Sequence, residues 1–235
     1  MTKPTRPNAA PALPLLKPVE NLTLRDQVTQ AVRNALMHGH LQPGQPVTVK
    51  SIATMVGASV MPAREAMNRL IAEGALELRP NRTVIVPAMS KQEFDELTDL
   101  RCHIEAQAAA HAVEWVTRED IQTLKALDKA MHAAVPGADV ETYLSRNFEF
   151  HFHIYQLGTS KFFLSIIEKL WVRVGPLIRF SLDTSGFGQS TKLHARVIRG
   201  LETKDSTLLR DAIQADINGA AQSIRKVRDA SKAWF

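Results

Sequence analysis

The run RNFEFHFHIYQLGTS (146–160) places Asn147, Glu149, His151 and His153 in an otherwise apolar stretch. These are residue types that ligate metals or move protons. If the run is helical, side chains step by about 100° per residue, so Asn147 and His151 share a face and His153 points away from it. The pair with chemical meaning is then Asn147 with His151, and HFH is not a chelating pair. Two donors do not hold an ion, so others must come from elsewhere in the fold. His194 in KLHARVIRGL and Asp216 in IQADINGA are the candidates. Such a mixed nitrogen and oxygen set suits a divalent transition metal, zinc or nickel. A helix histidine serves equally well as hydrogen-bonded core, and Asn147 as a buried amide. His38, His40, His103, His111, His132 and His153 read as structural or solvated. Glu149, two residues from both Asn147 and His151, faces away from them. A metal here would lack the general base that hydrolysis needs.

Positioning such a set requires helices packed together, and the second part of the chain supplies them. Apolar periodicity marks helices at 91–115, 118–133, 139–157, 161–182, 190–202 and 205–230, broken at VPGAD, GTS, DTSGFG and ETKD. Ser90 and Glu93 have capping-box spacing at the first start. The expectation is an all-α bundle of about six helices. Gly186 and Gly188 mark a loop able to move as a pocket fills.

Ahead of the bundle the pattern differs. Thr23 and Asp26 open a helix with Val28, Ala31, Val32 and Leu36 on one face. KSIATMV gives a second, ended by Gly57. Ser59 offers an N-cap for a third, SVMPAREAMNRLIAE. ALELR and TVIVPA alternate like paired strands about the turn PNR. Three helices and a hairpin make a winged helix-turn-helix. The chain is thus mainly α: a leader at 1–20 with prolines at 4, 7, 11, 14 and 18, a head at 21–89 and a bundle at 90–230.

Charge separates head from bundle. Residues 1–91 carry 11 Lys and Arg against 5 Asp and Glu, whereas residues 92–235 carry 18 against 19. A basic module on a neutral one points to a polyanion partner. Arg64 lies in the early turns of the third helix, where it reaches a base edge or a phosphate. Lys50 opens the preceding helix, and Arg79 and Arg82 flank the wing turn. No apolar run approaches the ~20 residues of a membrane span. The proline-broken leader is no signal peptide, and the one cysteine, Cys102, excludes an internal disulfide, so a reducing cytoplasm is expected.

Residues 24–90 resemble the DNA-binding domain of GntR-family transcription regulators, through the frame GASVMPAREAMNRLIAEG. The resemblance implies that Lys50, Ser59, Arg64 and the wing around Arg82 face DNA. Val60 stands where that family usually has arginine, and Thr83 where it has glycine in the wing. Val60 and Met61 then offer contact to a thymine methyl in place of a guanine reader. Residues 92–228 are similar to the FCD ligand-binding domain of the FadR subfamily. Arg101 and Glu105 in TDLRCHIEAQAAAHA, the NFEFH segment and LHARVIRGL carry the likeness. It implies a metal held by Asn147, His151, His194 and Asp216. Asn147 replaces the commoner aspartate and Asp216 the usual histidine, which leaves one carboxylate in the set. Such domains sense small organic acids, and a metal beside a guanidinium is a carboxylate clamp. Arg101 is the first choice for that guanidinium, with Arg173 and Arg179 as further contributors. The reading is a homodimeric regulator on a palindromic operator. The alternatives are a bundle that only dimerises and a metal-dependent hydrolase.

Overall fold

The computed structural model describes residues 23–135, 137–158, 161–182 and 186–231. The leader at 1–20 lies outside them. The head opens with α1 (Leu24–Met37), α2 (Val49–Val56) and α3 (Val60–Ala72). α1 begins in a complete capping box between Thr23 and Asp26, and α2 in one between Thr48 and Ser51. Gly57 closes α2 with a left-handed φ of 63°, which glycine adopts at no steric cost. Ser59 occupies the N-cap position of α3 in extended conformation, but its hydroxyl makes no capping bond, unlike the expectation. Val32, Leu36, Ile52, Ala63 and Leu70 are fully buried and form the head's core.

The wing is shorter than its alternating pattern suggests. β1 (Glu77–Leu78) pairs antiparallel with β2 (Val84–Ile85), in the register Glu77 to Ile85 and Leu78 to Val84. Ala75 and Leu76 belong instead to the end of α3: both N–H groups donate to the Leu70 carbonyl, and both side chains are buried. Capping bonds thus take the residues that alternation alone assigns to a strand. Pro46 bridges to Ile85 on the other side.

The bundle follows as α4 (Lys91–Ala112), α5 (Arg118–Ala134), α6 (Val140–Gln156), α7 (Lys161–Ile178), α8 (Gly186–Glu202) and α9 (Ser206–Ser231). Capping boxes start α4 at Ser90/Glu93 and α5 at Thr117/Asp120, and Asp139 caps α6 through Thr142 N–H. The expected helix 161–182 stops at Ile178 and tightens into a 3-10 turn at Arg179–Ser181. Pro176 removes one backbone donor just before that end and crowds the preceding turn. α8 starts at Gly186, four residues before its expected onset, so Gly186 and Gly188 belong to a helix rather than a loop.

Head and bundle meet along α1 and α7. A Cβ on Gly175 would collide with the Leu36 carbonyl and lie 2.8 Å from Met37 Cα, so only glycine permits this approach. The His38 ring, just past α1, packs tilted against Phe148 of α6 with centroids 4.2 Å apart. Among the largest fully buried side chains of the bundle are Trp171, Tyr155, Phe94 and Phe150, and of these Phe94 and Trp171 line a cavity.

Candidate metal centre and DNA-facing surface

Six helices place polar groups in the middle of this apolar body. α4 supplies Arg101 and Glu105, α5 Asp128, α6 Asn147, His151 and Tyr155, α7 Trp171, α8 His194 and α9 Asp216. Arg101, Glu105, Asn147, His151, His194 and Asp216 are all buried. Buried polar groups persist only when satisfied, and these satisfy one another. His151 Nε2 lies 3.2 Å from Asp216 Oδ2, and His194 Nε2 lies 3.6 Å from Asp216 Oδ1. The potential ligand atoms of the three residues fall within 4.8 Å of one another. Donors bound to zinc at ~2.0–2.1 Å in a tetrahedron stand roughly 3.3 Å apart, so the spacing fits a metal. Asn147 lines the same cavity, one helical turn before His151.

The outer hydrogen bonds determine which ring nitrogens face inward. Tyr155 donates its proton to Glu105 Oε2 at 2.7 Å, so its oxygen, 3.3 Å from His151 Nδ1, is left to accept. That assigns the proton of His151 to Nδ1 and turns the Nε2 lone pair toward Asp216. His194 Nδ1 lies 3.1 Å from Asp128 Oδ1, which assigns its proton likewise. Two imidazole lone pairs and a carboxylate then converge. Acceptors this close are held together by a cation between them, a metal ion or a further proton. Burial alone would raise the Asp216 carboxyl; in the protonated arrangement His194, His151 and, further off, Arg101 outweigh it and hold it below the ordinary carboxylate value. Burial and the Glu105 charge push the Tyr155 hydroxyl well above its usual range, so it stays a donor.

Glu105 is the hub of this network. Its carboxylate accepts from Arg101 Nε at 2.6 Å and Nη2 at 3.3 Å, from Tyr155 and, at 3.0 Å, from Trp171 Nε1. The Arg101 guanidinium lies over the Trp171 ring, 5.1 Å from its centroid.

The structure brings Asn147, His151, His194, Asp216 and Arg101 together, but not the two other arginines. Arg173 Nη1 donates to the Gly74 carbonyl in the head at 3.1 Å, and Arg179 faces Glu141 and the Gly39 carbonyl. Both lie off the cavity wall, because their positions on and after α7 turn them toward the head. His153 turns outward to Asp120, 2.9 Å away, and Glu149 pairs with Arg146. Sequence reasoning gave no role to Asp128, Tyr155 or Trp171. Of these three, Tyr155 alone had a local signal, its i, i+4 spacing from His151.

On the head, Lys50, Ser59, Val60, Met61, Arg64, Arg79 and Arg82 are all exposed. Val60 and Met61, 53% and 66% exposed, stand at the start of α3. Arg82 sits at the wing tip with φ 63°.

Residues 24–86 match the bacterial regulatory proteins of the gntR family, and residues 96–219, more than half the chain, match the FCD domain. The chain belongs to the GntR family. Within it, the FCD domain puts this GntR regulator in the FadR-like subfamily. It is 32% identical to the HTH-type transcriptional regulator McbR of Escherichia coli K12 over 190 residues, 80% of this chain and 86% of McbR. The HTH-type transcriptional repressor RspR of the same organism is 22% identical, over 90% of this chain and 93% of RspR. Among solved structures, E. coli McbR/YncC superposes with a TM-score of 0.79 at 27% identity, covering 90% of this chain and all of that one. This GntR chain is therefore a DNA-binding transcription regulator and not an enzyme, which sets the hydrolase alternative aside.

Proposed function

We propose that this regulator senses a small organic acid through a divalent metal, zinc or nickel, in its FCD domain. The convergence of His151, His194 and Asp216, the first and last of which line a cavity that Arg101 also lines, supports the reading most directly. These three residues, with Asn147, would hold the ion; when bound, it supplies a position for one carboxylate oxygen. Arg101 uses Nε and Nη2 on Glu105, leaving Nη1 for the acid. The protein works as a cytoplasmic homodimer on a palindromic operator, each head presenting α3 to a major groove. Lys50, Ser59 and Arg82 meet the backbone, while Val60, Met61 and Arg64 reach base edges. The uncapped first turn of α3 leaves N–H groups open to a phosphate.

The cavity and the head share two helices. α7 carries Trp171 on the cavity wall and, one turn later, Gly175 against α1. Phe148 of α6 touches both Trp171, at 5.6 Å between centroids, and His38. An acid that tilts Trp171 therefore shifts the population of head orientations.

The test is metal analysis after equilibrium dialysis against zinc or nickel, for the native chain and for His151→Ala and His194→Ala. About one ion per native chain and a loss in both variants is expected. Equal metal content in all three would sink the reading and leave a bundle that only dimerises.

A further inference from the structure

We infer that the seam between head and bundle holds a second ligand site, for a phosphate-bearing small molecule that fastens the two together. The site shares no lining residue with the cavity at the metal centre, and the inference stands independently of metal-dependent sensing.

Three elements build this pocket. α1 gives Arg33, the end of α3 gives Glu73 and Gly74, and α7 gives Lys169 and Arg173 one turn apart. The cavity volume is about 190 Å³. At ~10–15 Å³ per water centre it holds more than a dozen waters, ample for a diphosphate. Cations from two helices suit the several oxygens of a phosphate better than one planar carboxylate, and Lys169 meets it as a point charge. Each guanidinium is only partly used. Arg33 Nη2 bonds Glu73, and Arg173 Nη1 donates to the Gly74 carbonyl at 3.1 Å, which leaves each a further Nη for a ligand. Lys169 is exposed and forms no ion pair among the described residues. One carboxylate, Glu73, shares the wall, but Arg69 Nε also claims it at 3.0 Å. Glu93, held low by Ser90 and, further off, by Arg173, is not on the wall, nor is Glu168. The negative end of the α3 dipole points here as well, but the carbonyls of Arg69, Leu70 and Ile71 already accept from N–H groups of residues 73–76.

A DNA phosphate is not the occupant. α3 presents its Val60 end to the groove, and its 13 residues put the pocket at the opposite end, roughly 20 Å away at 1.5 Å per residue. The ligand is a free anion. Arg173 lies two residues before Gly175, where α7 meets the end of α1. An anion held by Arg33 and Arg173 together ties α1 to α7 and favours the docked head.

The experiment titrates the full chain, stripped of metal so that the metal centre takes no phosphate, with inorganic phosphate and with pyrophosphate at constant ionic strength. Calorimetry is expected to give one saturable pyrophosphate site per chain, tighter than that for phosphate. Lys169→Gln, at an exposed position that leaves the fold intact, weakens it by about fivefold to tenfold. The double variant Lys50→Ala, Arg82→Ala removes cations from the DNA-facing surface and leaves the affinity unchanged. Pyrophosphate also slows hydrogen exchange at the backbone amides of residues 74–76, which border the pocket. No saturable binding, or equal binding to the native chain and Lys169→Gln, overturns the inference. Binding lost in the double variant and kept in Lys169→Gln overturns it too, by placing the anion on the DNA-facing surface. None of these outcomes bears on metal-dependent sensing.

Discussion

At the residue scale, the proposed metal centre depends on groups that would never touch the ion. Asp128 receives the Nδ1 proton of His194, and Tyr155, itself held by Glu105, receives that of His151. Each bond keeps an imidazole in the tautomer that presents Nε2 inward. Asp128→Ala is therefore expected to weaken zinc binding by roughly 10–100-fold with the three ligating side chains intact. Competition against a chromophoric chelator measures it, and an unchanged affinity would show that Asp128 merely pairs with His132. Glu105 has a second duty, because its carboxylate also fixes Arg101 and Trp171. Arg101 and the indole that lines the cavity are thus both set by one buried charge.

At the element scale, α6 and α7 do double work. α6 presents Asn147 and His151 to the cavity and Phe148 to the His38 ring. α7 presents Trp171 inward and, at Gly175, lets the end of α1 approach until backbone meets backbone. Gly175→Ala forces that seam apart. Overpacking of this kind costs about 1–3 kcal/mol, and urea denaturation of the purified variant measures it. A variant as stable as the native chain would mean that head and bundle are not docked this way in solution. The hydrophobic periodicity located both helices, because each buries one face. It missed the end of α7, where Pro176 and the 3-10 turn at Arg179–Ser181 replace helix. It also missed the early start of α8, since glycine at 186 and 188 reads as a break unless packing overrides propensity.

At the scale of the molecule, a basic head on a neutral bundle makes operator affinity depend on salt. Each phosphate contact removed lowers the slope of log K against log salt by roughly 0.9. Lys50→Ala and Arg82→Ala are each expected to lower it by about that amount while weakening binding evenly across sequences. Arg64→Ala, at the exposed early turns of α3, instead relaxes discrimination at one base position. Fluorescence anisotropy over a salt series, on operator and scrambled duplexes, separates the two classes. An unchanged slope for Lys50→Ala and Arg82→Ala would place the DNA elsewhere on the head.

The sequence by itself determined the helices, the division into a basic head and a neutral bundle, and the shared face of Asn147 and His151. These follow from local rules: capping pairs such as Ser90 with Glu93, apolar periodicity, and the angle between positions four apart. It also named His194 and Asp216, through residue type and a family likeness. Only the tertiary structure decided how those donors are oriented and which arginines join them. Asp128 reaches His194 across 66 positions of chain, and Trp171 reaches Glu105 across as many. Arg173 and Arg179 are as suited as Arg101 to bind an anion, yet packing against the head turns them to Gly74 and Gly39. Spacing along a chain fixes a side chain's direction on its own helix, and only the packing of helices fixes what lies in that direction.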